Sequence, residues 1–143
     1  MTKLFGTIST EISNLFKLIY LDLSFNNLLE EIPSKIGLLI NLEVLHLVEN
    51  QLNDSIPWEI SQLKSLTKLY FFGNHLHGCI PASLGNLSYL TYLYLNNNSI
   101  VCTIPASLGN LSNLVELDLH HNQLSGSISP EIGNFSNLVI FDI

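Results

Sequence analysis

The chain contains no arginine, and five lysines stand against twelve acidic residues for a formal net charge of −7. A nucleic-acid binder needs a basic face that displaces counterions from phosphates, and this balance cannot build one. The same charge is repelled by an anionic membrane surface. Two cysteines, Cys79 and Cys102, without CxxC spacing, make neither a disulfide framework nor a zinc site. No apolar run approaches the roughly 18 residues of a membrane-spanning helix. Met1 to Ser9 lack the charged start and long apolar stretch of a signal peptide, so no secretion signal is expected in the chain itself. There is no HExxH, no nucleophile elbow, no glycine-rich phosphate loop, and no HRD or DFG, so nothing in the residues supports catalysis or a cofactor. Only 12% of residues are charged while 47% are hydrophobic, which is enough to bury a large core.

Against these absences stands a repeat of 24 residues. Asn26, Asn50, Asn74, Asn98 and Asn122 are evenly spaced, and the apolar residues around them fall in fixed columns. Leu18, Leu21 and Leu23 precede the first Asn; Leu66, Leu69 and Phe71 precede the third; Leu138, Phe141 and Ile143 open a sixth set. After each Asn come Leu28, Leu52, Leu76, Ile100 and Leu124, then Ile32, Ile56, Ile80, Ile104 and Ile128, with Pro33, Pro57, Pro81 and Pro105 behind the first four. Periods of this length mark stacked repeats in which no single turn can bury its apolar edge alone.

The spacing has a physical reading. In LxxLxL the last two apolar residues alternate with a polar one, which is the period of a strand. Each turn thus offers one short strand, and neighbouring turns pair in parallel. The Asn side chain, where the backbone bends away, can satisfy backbone groups of adjacent turns, one rung per turn. Proline ends helical tendency, and Gly37, Gly85, Gly109 and Gly133 permit tight backbone on the far side.

These columns resemble the plant-specific leucine-rich repeat, LxxLxxLxLxxNxLxGxIPxxLGxL, over almost the whole chain, and residues 104–141 are especially similar to the ectodomain of a leucine-rich repeat receptor-like kinase. The resemblance implies an α/β solenoid: a right-handed superhelix of about six stacked turns with a concave parallel β-sheet and an irregular or 3-10 convex side. The expected organisation is one domain, 1–143, with a partial first repeat 1–14, repeats starting near 15, 39, 63, 87 and 111, and a partial last repeat from 135, uncapped at both ends. The family's glycine after NxL is replaced by Glu30, Asp54 and Cys102, and the cysteine-bearing caps, membrane span and kinase signature are missing, so a fragment or minimal unit of a longer horseshoe is expected. Family membership implies a non-catalytic module that recognises a peptide or protein, with a co-receptor ectodomain as a further partner, in an extracellular or cell-surface parent protein. The alternative is a secreted inhibitor of a cell-wall-degrading enzyme, similar to the polygalacturonase inhibitors. An ice-binding role would favour repeated threonine ladders, which are missing.

The strand residues outside the leucine columns line the concave face. Tyr70, Phe72, Tyr92 and Tyr94 fall on adjacent turns and should form an aromatic patch, with His46, Val48 and Lys68 beside it. Tyr and Phe also suit strands for packing reasons alone; four rings on an otherwise solvated face favour binding. Some receptors of the family grip a peptide carboxylate with paired arginines, a mode closed to a chain without arginine. Asp118 and His120 complete the candidate ligand-binding residues of the concave face; they share a side, but no third ligand is spaced for a metal, and a solvated polar patch rather than a metal site is expected. Cys79 and Cys102 lie one column apart on successive turns, where stacked strands about 4.8 Å apart would bring their Cα atoms within disulfide range; adjacent columns tend to point opposite ways, so two separate thiols are expected, with a disulfide as the alternative. Asn53, Asn86, Asn97, Asn110 and Asn134 begin N-x-Ser/Thr sequons, open to glycans in a secreted protein, although Gly-Asn-Leu-Ser is also the repeat's own spelling. Leu4 and Ile8 at one end and Phe141 and Ile143 at the other should be exposed, inviting fraying or end-to-end association, and Phe16, Leu38 and Ile40 should form a convex apolar patch.

Overall fold

In the computed structural model, which describes residues 2–143, each 24-residue period makes one turn of a stacked coil. Six three-residue strands form a parallel sheet in chain order: β2 (Tyr20–Asp22), β4 (Val44–His46), β6 (Lys68–Tyr70), β7 (Tyr92–Tyr94), β8 (Glu116–Asp118) and β9 (Ile140–Asp142). The register is the repeat itself: Leu21 pairs with Leu45, Leu45 with Leu69, Leu69 with Leu93, and Leu93 with Leu117. The leucines between the strand's outward residues are buried, while the residues on either side of each central leucine point out of the core. This is the alternation that a half-buried strand requires.

A second strip of pairing was not foreseen. The residues just after the Asn form β1 (Phe5–Gly6), β3 (Asn27–Glu30) and β5 (Gln51–Leu52), a three-stranded parallel sheet, continued by the single bridges Ser55 to His77 and Cys79 to Val101. Backbone groups leaving the first sheet still need partners, and the same groups one turn away supply them.

The return side is built from five-residue 3-10 helices, one per turn, four of them preceded by a proline at φ near −65°: Pro33, Pro57, Pro81 and Pro105. The tighter i→i+3 coil keeps this side compact. The far-side glycines act by close approach rather than by unusual φ. A Cβ on Gly85 would lie 2.2 Å from the Ser107 carbonyl oxygen, and one on Gly109 2.1 Å from that of Glu131. On Gly133 it would meet nothing, because no further turn packs there.

One continuous core runs through the stack, with Leu45, Leu69, Leu93, Phe71, Leu84 and Leu108 fully buried. The Asn rungs hold its edge. Asn74 Nδ2 donates to the Leu47 carbonyl of the preceding turn at 2.9 Å and to Phe71 at 3.0 Å, and its Oδ1 accepts from Leu52 N–H at 3.1 Å. Asn50, Asn98 and Asn122 repeat the pattern, and Asn26 keeps its acceptor role toward Leu4 N–H.

The ends differ in detail from expectation. Ile8 is buried against the core, and Phe5 is the most exposed apolar side chain at that end, with Leu4 beside it. Ile128, in a core column, is exposed because no further turn packs against it; Phe141 and Ile143 are exposed as expected, and Ile140 is exposed with them. Phe16, Leu38 and Ile40 are exposed on the convex side. Among the described residues, no helix is long and apolar enough to cross a membrane.

Candidate functional site

Parallel in-register strands place equivalent side chains about 4.8 Å apart, close to the stacking distance of aromatic rings. The column Asp22, His46, Tyr70, Tyr94, Asp118 and Asp142 exploits this spacing. His46 stacks on Tyr70 with centroids 4.3 Å apart and planes 9° from parallel, and Tyr70 stacks on Tyr94 at 4.5 Å and 10°. Three rings therefore form a short pile flanked by carboxylates. The His46 Nδ1 lies 3.8 Å from Asp22 Oδ2 at one end, and Asp118 is the register partner of Tyr94 at the other.

The neighbouring column closes the patch. Tyr92 sits edge-on to both Tyr70 and Tyr94, and Lys68 Nζ lies 5.6 Å over the Tyr92 ring, within cation–π reach. Phe72 tilts against Tyr94 at 6.4 Å. The six residues expected at the centre of the face, His46, Lys68, Tyr70, Phe72, Tyr92 and Tyr94, thus meet in one half-exposed cluster. Val48 does not join it: at 4% exposure it is part of the buried layer.

Electrostatics fix the protonation of the pile. Burial pushes the His46 imidazole below its ordinary pKa, against the pull of Asp22, so the ring is neutral at pH 7. Burial, followed by the hydrogen bond to Glu116, holds the Tyr94 phenol far above its usual range, and burial raises Tyr70 as well. Tyr94 donates its hydroxyl to the Glu116 carboxylate. Two buried polar atoms of this face have no partner within the protein: His46 Nε2 and Asn96 Oδ1. Orphaned groups of this kind are costly unless something outside the chain meets them.

At the far flank the structure adds a third side chain that could ligate a metal, one that spacing within a turn does not reveal. Asp118 and His120 are joined by Asp142 from the next turn, the register partner of Asp118. His120 Nδ1 lies 2.5 Å from Asp118 Oδ1 and 3.5 Å from Asp142 Oδ2. The signal was in the sequence, since Asp142 is 24 residues beyond Asp118.

The two cysteines are bonded, contrary to expectation: Cys79 and Cys102 form a disulfide with Cα atoms 5.4 Å apart. Alternation of side-chain direction fails here because Cys102 adopts φ of +71°, in a column that also holds Glu30, Asp54, Gly78 and Gly126 at positive φ. Register pairs Val101 with Cys79, and the left-handed residue that follows turns its Cβ back toward the preceding turn. The geometry recurs, because a Cβ on Gly78 would lie 3.3 Å from that of Ser55. The five sequon asparagines are all exposed, and Asn86, Asn110 and Asn134 end 3-10 helices, away from the aromatic pile.

Comparison with known proteins places this geometry. The family model described as leucine-rich repeat region matches residues 6–128. A comparison with curated proteins gives no match. Among solved structures, the ectodomain of the Arabidopsis thaliana membrane receptor kinase GASSHO1/SCHENGEN3, in complex with CASPARIAN STRIP INTEGRITY FACTOR 2, is 37% identical with a TM-score of 0.96, covering 97% of this chain and 17% of that one. The Arabidopsis receptor kinase HAESA, in complex with the peptide hormone IDA and the co-receptor SERK1, is 36% identical with a TM-score of 0.95, covering 99% of this chain and 24% of that one. A plant ice-binding protein is 30% identical with a TM-score of 0.87, covering 95% of this chain and 46% of that one. The chain spans about a sixth of the first receptor ectodomain and a quarter of the second. With a family model across residues 6–128 and a register that repeats every 24 residues, the chain belongs to the leucine-rich repeat family.

Proposed function

We propose that this chain is a non-catalytic recognition segment of a plant leucine-rich repeat receptor, presented at the cell surface, and that its concave sheet binds an extended peptide. The observation that carries this reading is the aromatic pile His46–Tyr70–Tyr94, bordered by Tyr92, Phe72 and Lys68. Stacked rings are already ordered, so a partner gains large contact area at little entropic cost. The orphaned His46 Nε2 offers a hydrogen-bonding position inside the same patch. The matched receptor kinase HAESA is complexed with a peptide hormone and a co-receptor, and the GASSHO1/SCHENGEN3 ectodomain with CASPARIAN STRIP INTEGRITY FACTOR 2, which favours a receptor over an enzyme inhibitor. Likeness to an ice-binding protein is not matched by the repeated threonine ladder that an ordered water lattice would need. The exposed sequon asparagines fit glycan attachment on the sides and back of the coil. Exposed Leu4 and Phe5 at one end and Ile140 and Ile143 at the other fit end-to-end association of the isolated chain.

The test is a screen of the chain against an array of synthetic secreted-peptide sequences, followed by titration of the best binder. Tyr70→Ala and Tyr94→Ala should each weaken binding by roughly tenfold or more, the size of an interface hot spot. Leu38→Ala on the convex side should not. Equal affinity in all three variants would sink the assignment.

A further inference from the structure

We propose that Asp118, His120 and Asp142 form a site for a divalent transition-metal ion of the zinc class, at the flank of the concave face. Two adjacent strands build it. Asp118 and Asp142 are register partners on the same side of the sheet, and His120 follows two residues after Asp118, on that side again. Their ligand atoms all lie within 4.8 Å of one another. The 3.5 Å between His120 Nδ1 and Asp142 Oδ2 is close to the ligand-to-ligand spacing of roughly 3.3 Å that follows from tetrahedral metal bonds of about 2.0–2.1 Å. The 2.5 Å between His120 Nδ1 and Asp118 Oδ1 has only to open by a side-chain rotation.

The donor set selects the ion. One imidazole with two carboxylates suits zinc, cobalt or manganese, whereas calcium and magnesium demand more oxygens. Three protein ligands leave a position for water. No lysine is near in sequence: all five precede residue 69, whereas the site lies on the turns after residue 117.

A second observation points the same way. Asn96 occupies the strand position one turn before His120, is 7% exposed, and its Oδ1 has no partner. The position preceding His120 in its column thus carries an unpaired acceptor one turn away. The site does not depend on the peptide reading, because it uses none of the aromatic pile.

Isothermal titration of the chelator-treated full chain with Zn²⁺ at pH 7.5 tests the site. One saturable equivalent per chain is expected, with His120→Ala and Asp142→Asn each weakening binding by roughly tenfold or more, since even outer-shell partners contribute on that scale. Asp142 is exposed, so its variant keeps the fold if His120→Ala does not. A His75→Ala/His77→Ala double variant, altering exposed imidazoles elsewhere, should bind as the parent does. Millimolar Mg²⁺ or Ca²⁺ should not compete. Absence of saturable binding, unchanged affinity in both site variants, or displacement by Ca²⁺ would overturn the proposal.

Discussion

Replacing Asn74 by alanine isolates what one rung of the amide ladder contributes. The side chain makes three short hydrogen bonds, but their loss is unequal. The Leu47 carbonyl also accepts from Asn50 Nδ2 at 3.2 Å, and the Phe71 carbonyl from Asn98 Nδ2 at 3.1 Å, so each keeps a partner. Leu52 N–H has no alternative acceptor and becomes a buried orphan. An orphaned donor costs about 1–3 kcal/mol, and each weakened carbonyl bond about 0.5–1.5 kcal/mol, giving roughly 2–5 kcal/mol in all. Asn74→Asp should be at least as damaging at neutral pH, because it keeps the acceptor but turns a carboxylate oxygen onto two carbonyls. Asn26 has no preceding rung and reaches only Leu23 and Ser24 carbonyls and Leu4 N–H near the end of the stack, so Asn26→Ala should cost less. Urea unfolding followed by circular dichroism gives the comparison, with the exposed Asn53→Ala as the baseline. A cost for Asn74→Ala within about 0.5 kcal/mol of that baseline, the range of ordinary surface changes, would refute the ladder accounting.

Three further outcomes follow from the same structure. Leu93→Ala, at a fully buried position, should lose about 2–5 kcal/mol, whereas Tyr94→Ala, which removes one stacked and two looser ring contacts and a half-exposed hydrogen bond, should lose less, about 1–2 kcal/mol; urea midpoints rank the two, and equal losses would contradict the burial pattern. Cys79→Ser/Cys102→Ser should lower stability by about 3 kcal/mol, the chain-entropy value for a link spanning 23 residues, and the unreduced chain, unfolded in denaturant, should show no free thiol by colorimetric titration. As pH falls, the unfolded chain protonates His46 near the ordinary 6.5 before the folded chain does, so native stability is full above that pH and declines below it; His46→Gln should flatten the slope of urea midpoint against pH between 7.5 and 5.

The fold was largely legible because its determinants are periodic. A column of leucines 24 residues apart specifies both the strand face and the register, and Leu45, Leu69 and Leu93 lie where that column puts them. The aromatic patch was legible for the same reason: a side chain's face follows from its place in LxxLxL. Features set by backbone conformation were not. The pairing of Cys79 with Cys102 depends on a positive φ that alternation rules do not contain, and β1, β3 and β5 depend on where backbone groups lack partners rather than on any hydrophobic pattern. Asp142 joins Asp118 and His120 only across turns, because the register that aligns the leucines also aligns the carboxylates. Ile8 and Ile128 show that core membership at the ends is decided by whether a neighbouring turn is there to cover the side chain.

The left-handed column that brings Cys102 onto Cys79 makes every joint of the coil a place where two turns can be stapled. Gly126 would carry a Cβ 3.7 Å from that of Thr103, inside the usual range for a bridged pair, and Ser55 with Gly78, at 3.3 Å, falls just short of it. Residues 23 apart at this column are thus ready-made positions for engineered cross-links, and a chain stapled at successive joints would resist the loss of its end turns without any change to the face that meets a ligand.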